Sequence, residues 1–214
     1  DIISNYGPCA GDTLSIKGYK QGTDQEMEVG CTMKDVTSAF VFKTINEAHI
    51  GEFSFFRVYG GKINNGDTLV NSTRNDKENL RQVFTMLGKN RKDTSTIIAG
   101  DIGAAVKLKN THTGDSLVSS GNAFVIKPIE YPNPSMRLAI SPKSRGDEEK
   151  MSEGLSVMHE EDPTFKYEVD PELKQTIISG QGELHLGTIM KKIQERYNVE
   201  LSTESPRVPY RETI

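Results

Sequence analysis

Gln175-Thr-Ile-Ile-Ser-Gly-Gln-Gly-Glu-Leu-His-Leu186 is the stretch whose reading decides the fold. Its β-branched run through Thr176, Ile177 and Ile178 predicts a strand, and Gly180-Gln181-Gly182 ends that strand in a tight turn. Two glycines lacking Cβ atoms widen the backbone choices open to the turn. A helix is expected to open at Glu183, whose carboxylate suits the positive end of a helix dipole. His185 then stands at a strand–helix junction against which another surface could dock.

Working outward, Leu184–Tyr197 places Leu184, Leu186, Ile189, Ile193 and Tyr197 mainly on one helical face. Gly146–Glu160 carries Met151, Leu155 and Met158 or His159 at the same spacing. Strands are expected at Ser135–Ser141, Phe165–Val169, Thr176–Ser179 and Val199–Ser202. The order β-α-β-β-α-β predicts a ferredoxin-like split βαβ domain over residues 131–207, a four-stranded antiparallel sheet with both helices on one face. Upstream, residues 37–130 offer short strands at Ala39–Ile45, Glu52–Tyr59, Asp67–Asn71, Asn79–Met86, Gly103–Lys109, Ser116–Val118 and Ala123–Ile126. Close spacing without a long helical stretch predicts a small closed β-barrel. Pro128, Pro132 and Pro134 stiffen the linker between the two. Residues 1–36 are turn-forming and polar, with a short Glu26–Val29 strand at best, and are expected to be the tail of a preceding domain plus a linker. Residues 208–214 are expected to begin a fourth domain. The fold class is thus multi-domain β plus α+β.

The 214 residues carry a net charge of −4 and 35% apolar residues, enough for real cores. No run approaches the ~18–20 apolar residues of a membrane span, and the opening Asp1-Ile-Ile-Ser has no leader pattern. Only Cys9 and Cys31 are present, without zinc-type spacing, so a cytoplasmic protein with no disulfide scaffold is expected. Residues 37–130 carry 12 basic and 9 acidic groups, making the barrel the net-positive third and the part best suited to meet phosphate.

Seven stretches together carry a family resemblance. Ala39–Lys43 with Gly51–Gly61 looks like an opening barrel hairpin, and Ala99–Ile102 and Thr113–Leu117 like later barrel turns. Glu160–Phe165 and Gln175–Leu186 look like the next domain, and Tyr210–Ile214 like the entry to a fourth. In that order they resemble the translational GTPases, and within them the elongation factor G family, from the end of the GTPase domain to the start of the fourth domain. Glu47-Ala48-His49, Gln181 and Gly187 depart from the family's usual residues at surface or junction positions.

The resemblance implies an elongation factor of protein biosynthesis, a ribosomal translocase that couples GTP state to movement of tRNA and mRNA. Its partners would be small-subunit rRNA, ribosomal protein and the GTPase domain of the same chain. It also implies that Pro132, Pro134, Asp162, Thr164, Leu184 and His185 face the nucleotide domain and line a fusidic acid pocket. Leu184 as core, and Pro132 and Pro134 as linker stiffeners, are the plainer readings. In the barrel, Arg57, Arg74, Lys77, Arg81, Lys89, Arg91 and Lys92 are candidates for rRNA phosphate, since Lys and Arg bind backbone without regard to sequence. Rival expectations are a tetracycline-resistance type ribosomal protection protein and a paralogue with a degenerate nucleotide domain that acts as a ribosome-binding protein. The Gly180–Leu186 string favours the translocase.

No Gly-x-x-x-x-Gly-Lys-Ser/Thr loop and no Asn-Lys-x-Asp occurs in the sequence. GTP/GDP and Mg are therefore expected upstream in the longer protein, with no cofactor, metal or catalytic residue here. Glu183 and His185 at i and i+2 cannot share a helix face as an acid–base pair. Glu160-Glu161-Asp162 is expected to be a solvated helix end rather than a metal cluster. The purified chain should accordingly show no ribosome-stimulated GTP hydrolysis above blank. Robust turnover by a contaminant-free preparation would overturn this.

Overall fold

The computed structural model describes residues 2–47, 51–88, 90–122 and 124–207. The expected fourth-domain start, and Ala48 and His49 of the Glu47-Ala48-His49 departure, lie outside the described residues. The chain divides into two compact units, Asp1–Ile129 and Glu130–Ile214.

In the first unit α1 (Ile2–Tyr6) precedes β1 (Ser15–Lys20), β2 (Glu26–Gly30), β3 (Ser38–Glu47), β4 (Gly51–Gly60), β5 (Lys62–Asn64) and β6 (Asp67–Asn71). There follow β7 (Asp76–Leu80), β8 (Val83–Leu87), β9 (Asn90–Thr94), β10 (Thr96–Ile98), β11 (Ile102–Val106), β12 (Ser116–Ser119) and β13 (Phe124–Ile126). An eight-stranded sheet runs β7-β6-β12-β3-β4-β11-β8-β9, and β5 pairs with β10. Leu80 near one edge and Val83 near the other share a core with Val41, Phe56, Val58 and Leu117 from the middle. The sheet therefore curls onto itself, with Ile63 and Ile97 of the β5–β10 pair inside the same cluster.

Strand alternation puts Phe56 and Val58 of β4 inward and Arg57 and Tyr59 outward. Tyr59, with Phe40 and Phe42 of β3, would leave an aromatic patch on the barrel's outside. Ile16 of β1, Val29 of β2, and Phe124 and Ile126 of β13 cover it. This corrects the expectation for residues 1–36. Ser15–Lys20 and Glu26–Gly30 form a three-stranded sheet with Phe124–Ile126, so the expected linker is built into the first unit. Few apolar residues suffice because the apolar partner surface lies on the barrel. Two further strand expectations need correction. Asn79–Met86 is two strands interrupted at Arg81 and Gln82, and of the expected Ala123–Ile126 strand the described Phe124–Ile126 pairs with β1 instead of joining the barrel sheet. The short or polar strands β5, β9 and β10 carried no alternating apolar signal.

The second unit runs β14 (Met136–Pro142), α2 (Glu148–Glu161), β15 (Lys166–Asp170), β16 (Gln175–Gly180), α3 (Glu183–Tyr197), β17 (Leu201–Glu204). Its four-stranded antiparallel sheet has the order β15-β16-β14-β17, the split βαβ arrangement. Met151, Leu155 and Met158 of α2 meet Leu186, Ile189 and Ile193 of α3 over Ile140 and Ile178, so both helices cover one sheet face. Asn198 adopts the left-handed conformation that closes α3. Leu184 departs from its expected place on the buried face: it is 87% exposed.

Gly18 tests whether β1 is structural. A Cβ there would lie 2.1 Å from the Val125 carbonyl oxygen, a backbone atom that cannot swing away. Gly18→Ala should lower unfolding stability by about 1–3 kcal/mol, the ordinary cost of forcing a close contact apart. A denaturation midpoint equal to wild type would show that the strand is dispensable.

Candidate functional site

The turn after β16 is shaped by space, not by unusual dihedrals. A Cβ on Gly180 would sit 2.7 Å from Leu186 Cδ2 and 2.8 Å from His185 Nδ1, so glycine is needed for the imidazole to lie against the strand end. Gly182 is extended at φ 164° with nothing within 4 Å of a Cβ, so the freedom expected of it is not used.

His185, with its side chain 19% exposed, joins two elements. Its Nδ1 accepts the Gln181 backbone N–H at 3.0 Å, which leaves Nε2 to donate to Asp162 Oδ2 at 3.0 Å. Asp162 ends α2, and its Oδ1 accepts the Thr164 N–H at 2.9 Å and the Thr164 hydroxyl at 2.6 Å. Burial pushes the Asp162 carboxyl up, but the Thr164 hydroxyl and N–H, then His185, outweigh it and hold the group below its usual value. On the other side of the turn, the Ser135 hydroxyl donates to Gln181 O at 2.7 Å, and Gln181 Nε2 donates to Pro132 O at 3.2 Å. One continuous chain of hydrogen bonds thus runs from linker through turn and helix start to the Asp-Pro-Thr turn.

Of the six residues implied for a domain-facing pocket, this chain brings together Pro132, Asp162, Thr164 and His185. Pro134 lies half-buried in the same linker without a polar group to join it. Leu184 stands outside the hydrogen-bond chain as an exposed apolar side chain beside Glu183, Gly187, Thr188 and Lys191. Its reading as core is therefore wrong: a helix start leaves the second residue on the solvent face while Leu186 and Ile189 turn inward. Sequence reasoning missed Ser135 and Gln181, and also Tyr131, whose phenol is pushed up by burial and then by the Asp162 charge. No periodicity marks them, because they act through single backbone or side-chain contacts.

The Glu160–Asp162 segment also differs from a solvated helix end. The Glu161 side chain is 7% exposed and pairs with Arg196 and Lys192 of α3. Among the described residues no group of three His, Cys, Asp or Glu side chains is placed to hold a metal ion.

The barrel's basic candidates separate by environment. Arg74 donates through Nε at 2.8 Å to Asp115, a 3% exposed carboxylate that also accepts Asn71 Nδ2 and the His112 N–H. Arg57 lies 5.2 Å over the Tyr59 ring, with its Nε buried and unpaired among the described residues. Arg91 stacks at 4.5 Å on Phe84 and lies 3.9 Å from Asp93. Lys77, Arg81 and Lys92 are exposed, and Lys89 lies outside the described residues.

Asp162 generates a pH prediction. Its folded value lies below the unfolded value of 3.8, so its contribution is present above pH 3.8 and is lost as pH falls through the folded value. Urea midpoints should therefore fall more steeply on acidification for wild type than for Asp162→Asn. Parallel pH profiles would remove this carboxylate from the account of stability.

Two family models match the chain: Elongation factor G domain 2 over residues 36–120 and Elongation Factor G, domain III over residues 131–205. Among solved structures, a crystal structure from Thermus thermophilus is similar at 30% sequence identity with a TM-score of 0.74. The match covers 82% of this chain and 26% of that one, so the chain spans about a quarter of the protein it resembles.

Proposed function

The chain belongs to the elongation factor G family, carrying its second and third domains, and on that premise we propose that it is the central part of a ribosomal translocase. In this reading a GTPase domain elsewhere in the longer protein binds GTP/GDP and Mg. The barrel meets the small ribosomal subunit, and the α/β unit relays nucleotide state towards the elements that move tRNA and mRNA. The place of action is the cytoplasm; no described helix is long and apolar enough to cross a membrane. No phosphate loop is present in this chain, so none of its residues is given a chemical step in GTP hydrolysis.

The observation that carries the reading is the contrast between His185 and Leu184. His185 is fixed by Gln181 and Asp162, while Leu184 beside it is 87% exposed. A rigid mount bearing an unused apolar contact is what a relay between domains needs. A ligand or neighbour shifts a two-state equilibrium only through contacts that differ between the states. Asp162, Thr164 and Pro132 belong to the mount, with Pro134 in the same linker, and a drug of the fusidic acid type would compete for the same contact.

Leu184→Asp in the full-length protein should leave the chain's stability within about 0.5 kcal/mol, as for other exposed positions. It should nevertheless lower ribosome-dependent GTP turnover. His185→Ala, which removes two hydrogen bonds worth about 0.5–1.5 kcal/mol each, should lower turnover as well. Normal turnover in both variants would sink the relay reading.

A further inference from the structure

Arg57 stands on the outer face of the barrel between two apolar neighbours. The strand register sets it opposite Phe40 of β3 on one side and Ile102 of β11 on the other, and paired residues on adjacent strands share a face. With Tyr59 further along β4, these side chains wall a cavity of about 310 Å³. Phe42 and the segment leaving β13, Ile126 with Lys127 and Ile129, complete it. Among the described residues no carboxylate lines the cavity, and no ion pair neutralises Arg57 or Lys127.

Covering the Phe40 and Ile102 surface does not account for Arg57. A long cationic side chain that covers apolar surface carries its head out to water. The Arg57 Nε, by contrast, is shut away from water and donates to nothing among the described residues. A buried charged donor left without an acceptor is costly. The guanidinium is held 5.2 Å over the Tyr59 ring, so its orientation is set before any acceptor arrives. Beside this buried donor, Ile102 and Ile129 are 54% and 49% exposed, which leaves apolar surface open at the same cavity.

We propose that this cavity binds a small organic carboxylate with an apolar body, its carboxylate on Arg57 and Lys127 and its body against Phe42, Ile102 and Ile129. The Nε–Nη edge of a guanidinium offers two parallel N–H donors that match the two oxygens of a carboxylate. Small-molecule sites have this make-up, mostly apolar and aromatic walls with a few placed polar groups, and volumes from about 300 Å³ upward. Phosphate is disfavoured, because apolar walls cannot replace the water that a more highly charged anion would lose. The assignment goes beyond the ribosome reading and does not rest on it. It takes Arg57 out of the candidates for rRNA phosphate.

The test is titration of the purified chain with octanoate and with hydrocinnamate, followed by calorimetry and by the nitrogen NMR signal of the Arg57 Nε–H. Both acids should saturate the chain below about 10 mM, as a ligand of roughly ten heavy atoms does at modest efficiency, and both should shift that signal. Acetate, octanol and inorganic phosphate should each bind at least about tenfold more weakly, because each lacks the body, the charge or the planar pair of oxygens. Arg57→Lys keeps a charge but loses the fork, and should weaken octanoate at least about tenfold. Ile129→Asp, at a half-exposed position, should do the same at an unchanged melting temperature, which keeps the test open if Arg57→Lys destabilises the barrel. The control Lys62→Gln, exposed elsewhere in the unit, should bind as wild type does. Octanol binding as tight as octanoate would reduce the site to an apolar crevice, and acetate or phosphate binding as tight would make it a bare anion site; either overturns the proposal. Tighter binding of a capped peptide alternating Glu and Leu would assign the cavity to a protein neighbour and overturn it as well. So would carboxylate binding that survives both variants, or failure of either acid to saturate wild type.

Discussion

The second unit depends on one contact, the His185 imidazole held between the Gln181 N–H and the Asp162 carboxylate. It satisfies a backbone donor at the turn into α3 and fixes the end of α2 with the same ring. It exists only because Gly180 leaves room for the ring: any Cβ there would meet His185 and Leu186 below 3.0 Å. A packing constraint on one strand residue therefore sets where a helix begins. That in turn decides which neighbour of the histidine is buried, Leu186, and which is left for another surface, Leu184.

The barrel solves a different problem with buried charge. Asp115 and Glu78 are 3% and 1% exposed, and both fold the loop between β11 and β12 back onto β6 and β7, Asp115 by accepting N–H donors and Glu78 by accepting two N–H donors and the Thr111 hydroxyl. Carboxylates at such depth are tolerable when every oxygen finds a donor. One consequence is a division of labour among cations. Arg74 completes the Asp115 cluster, whereas Arg81, Lys107 and Lys109 stand around a cleft with no ion-pair partner among the described residues.

Much of this architecture was legible in the residues. The split βαβ order followed from helical spacing at Met151, Leu155 and Met158 and from the strand–turn–helix string, and the strand order agrees. The barrel followed from short alternating strands. What escaped reading was local and polar. Asn90–Thr94 is an exposed edge strand without an apolar residue, so nothing in its pattern marks it. Ser15–Lys20 looked like linker because the aromatic patch it covers, around Phe42 and Tyr59, lies far along the chain.

The sequence by itself determined the order of elements in the second unit, the family, the net-positive barrel and the absence of a phosphate loop from this chain, all properties of local pattern and composition. Only the tertiary structure decided which chemically identical residues do what. It placed Leu184 outside and Leu186 inside, tied Glu161 to Arg196 and Lys192, and gave Arg74 a buried partner that Arg81 does not share. The physical reason is that burial and charge pairing depend on what the rest of the chain brings within a few ångströms. Spacing along the sequence fixes which face of an element a side chain takes, and contact across the fold fixes what it meets there.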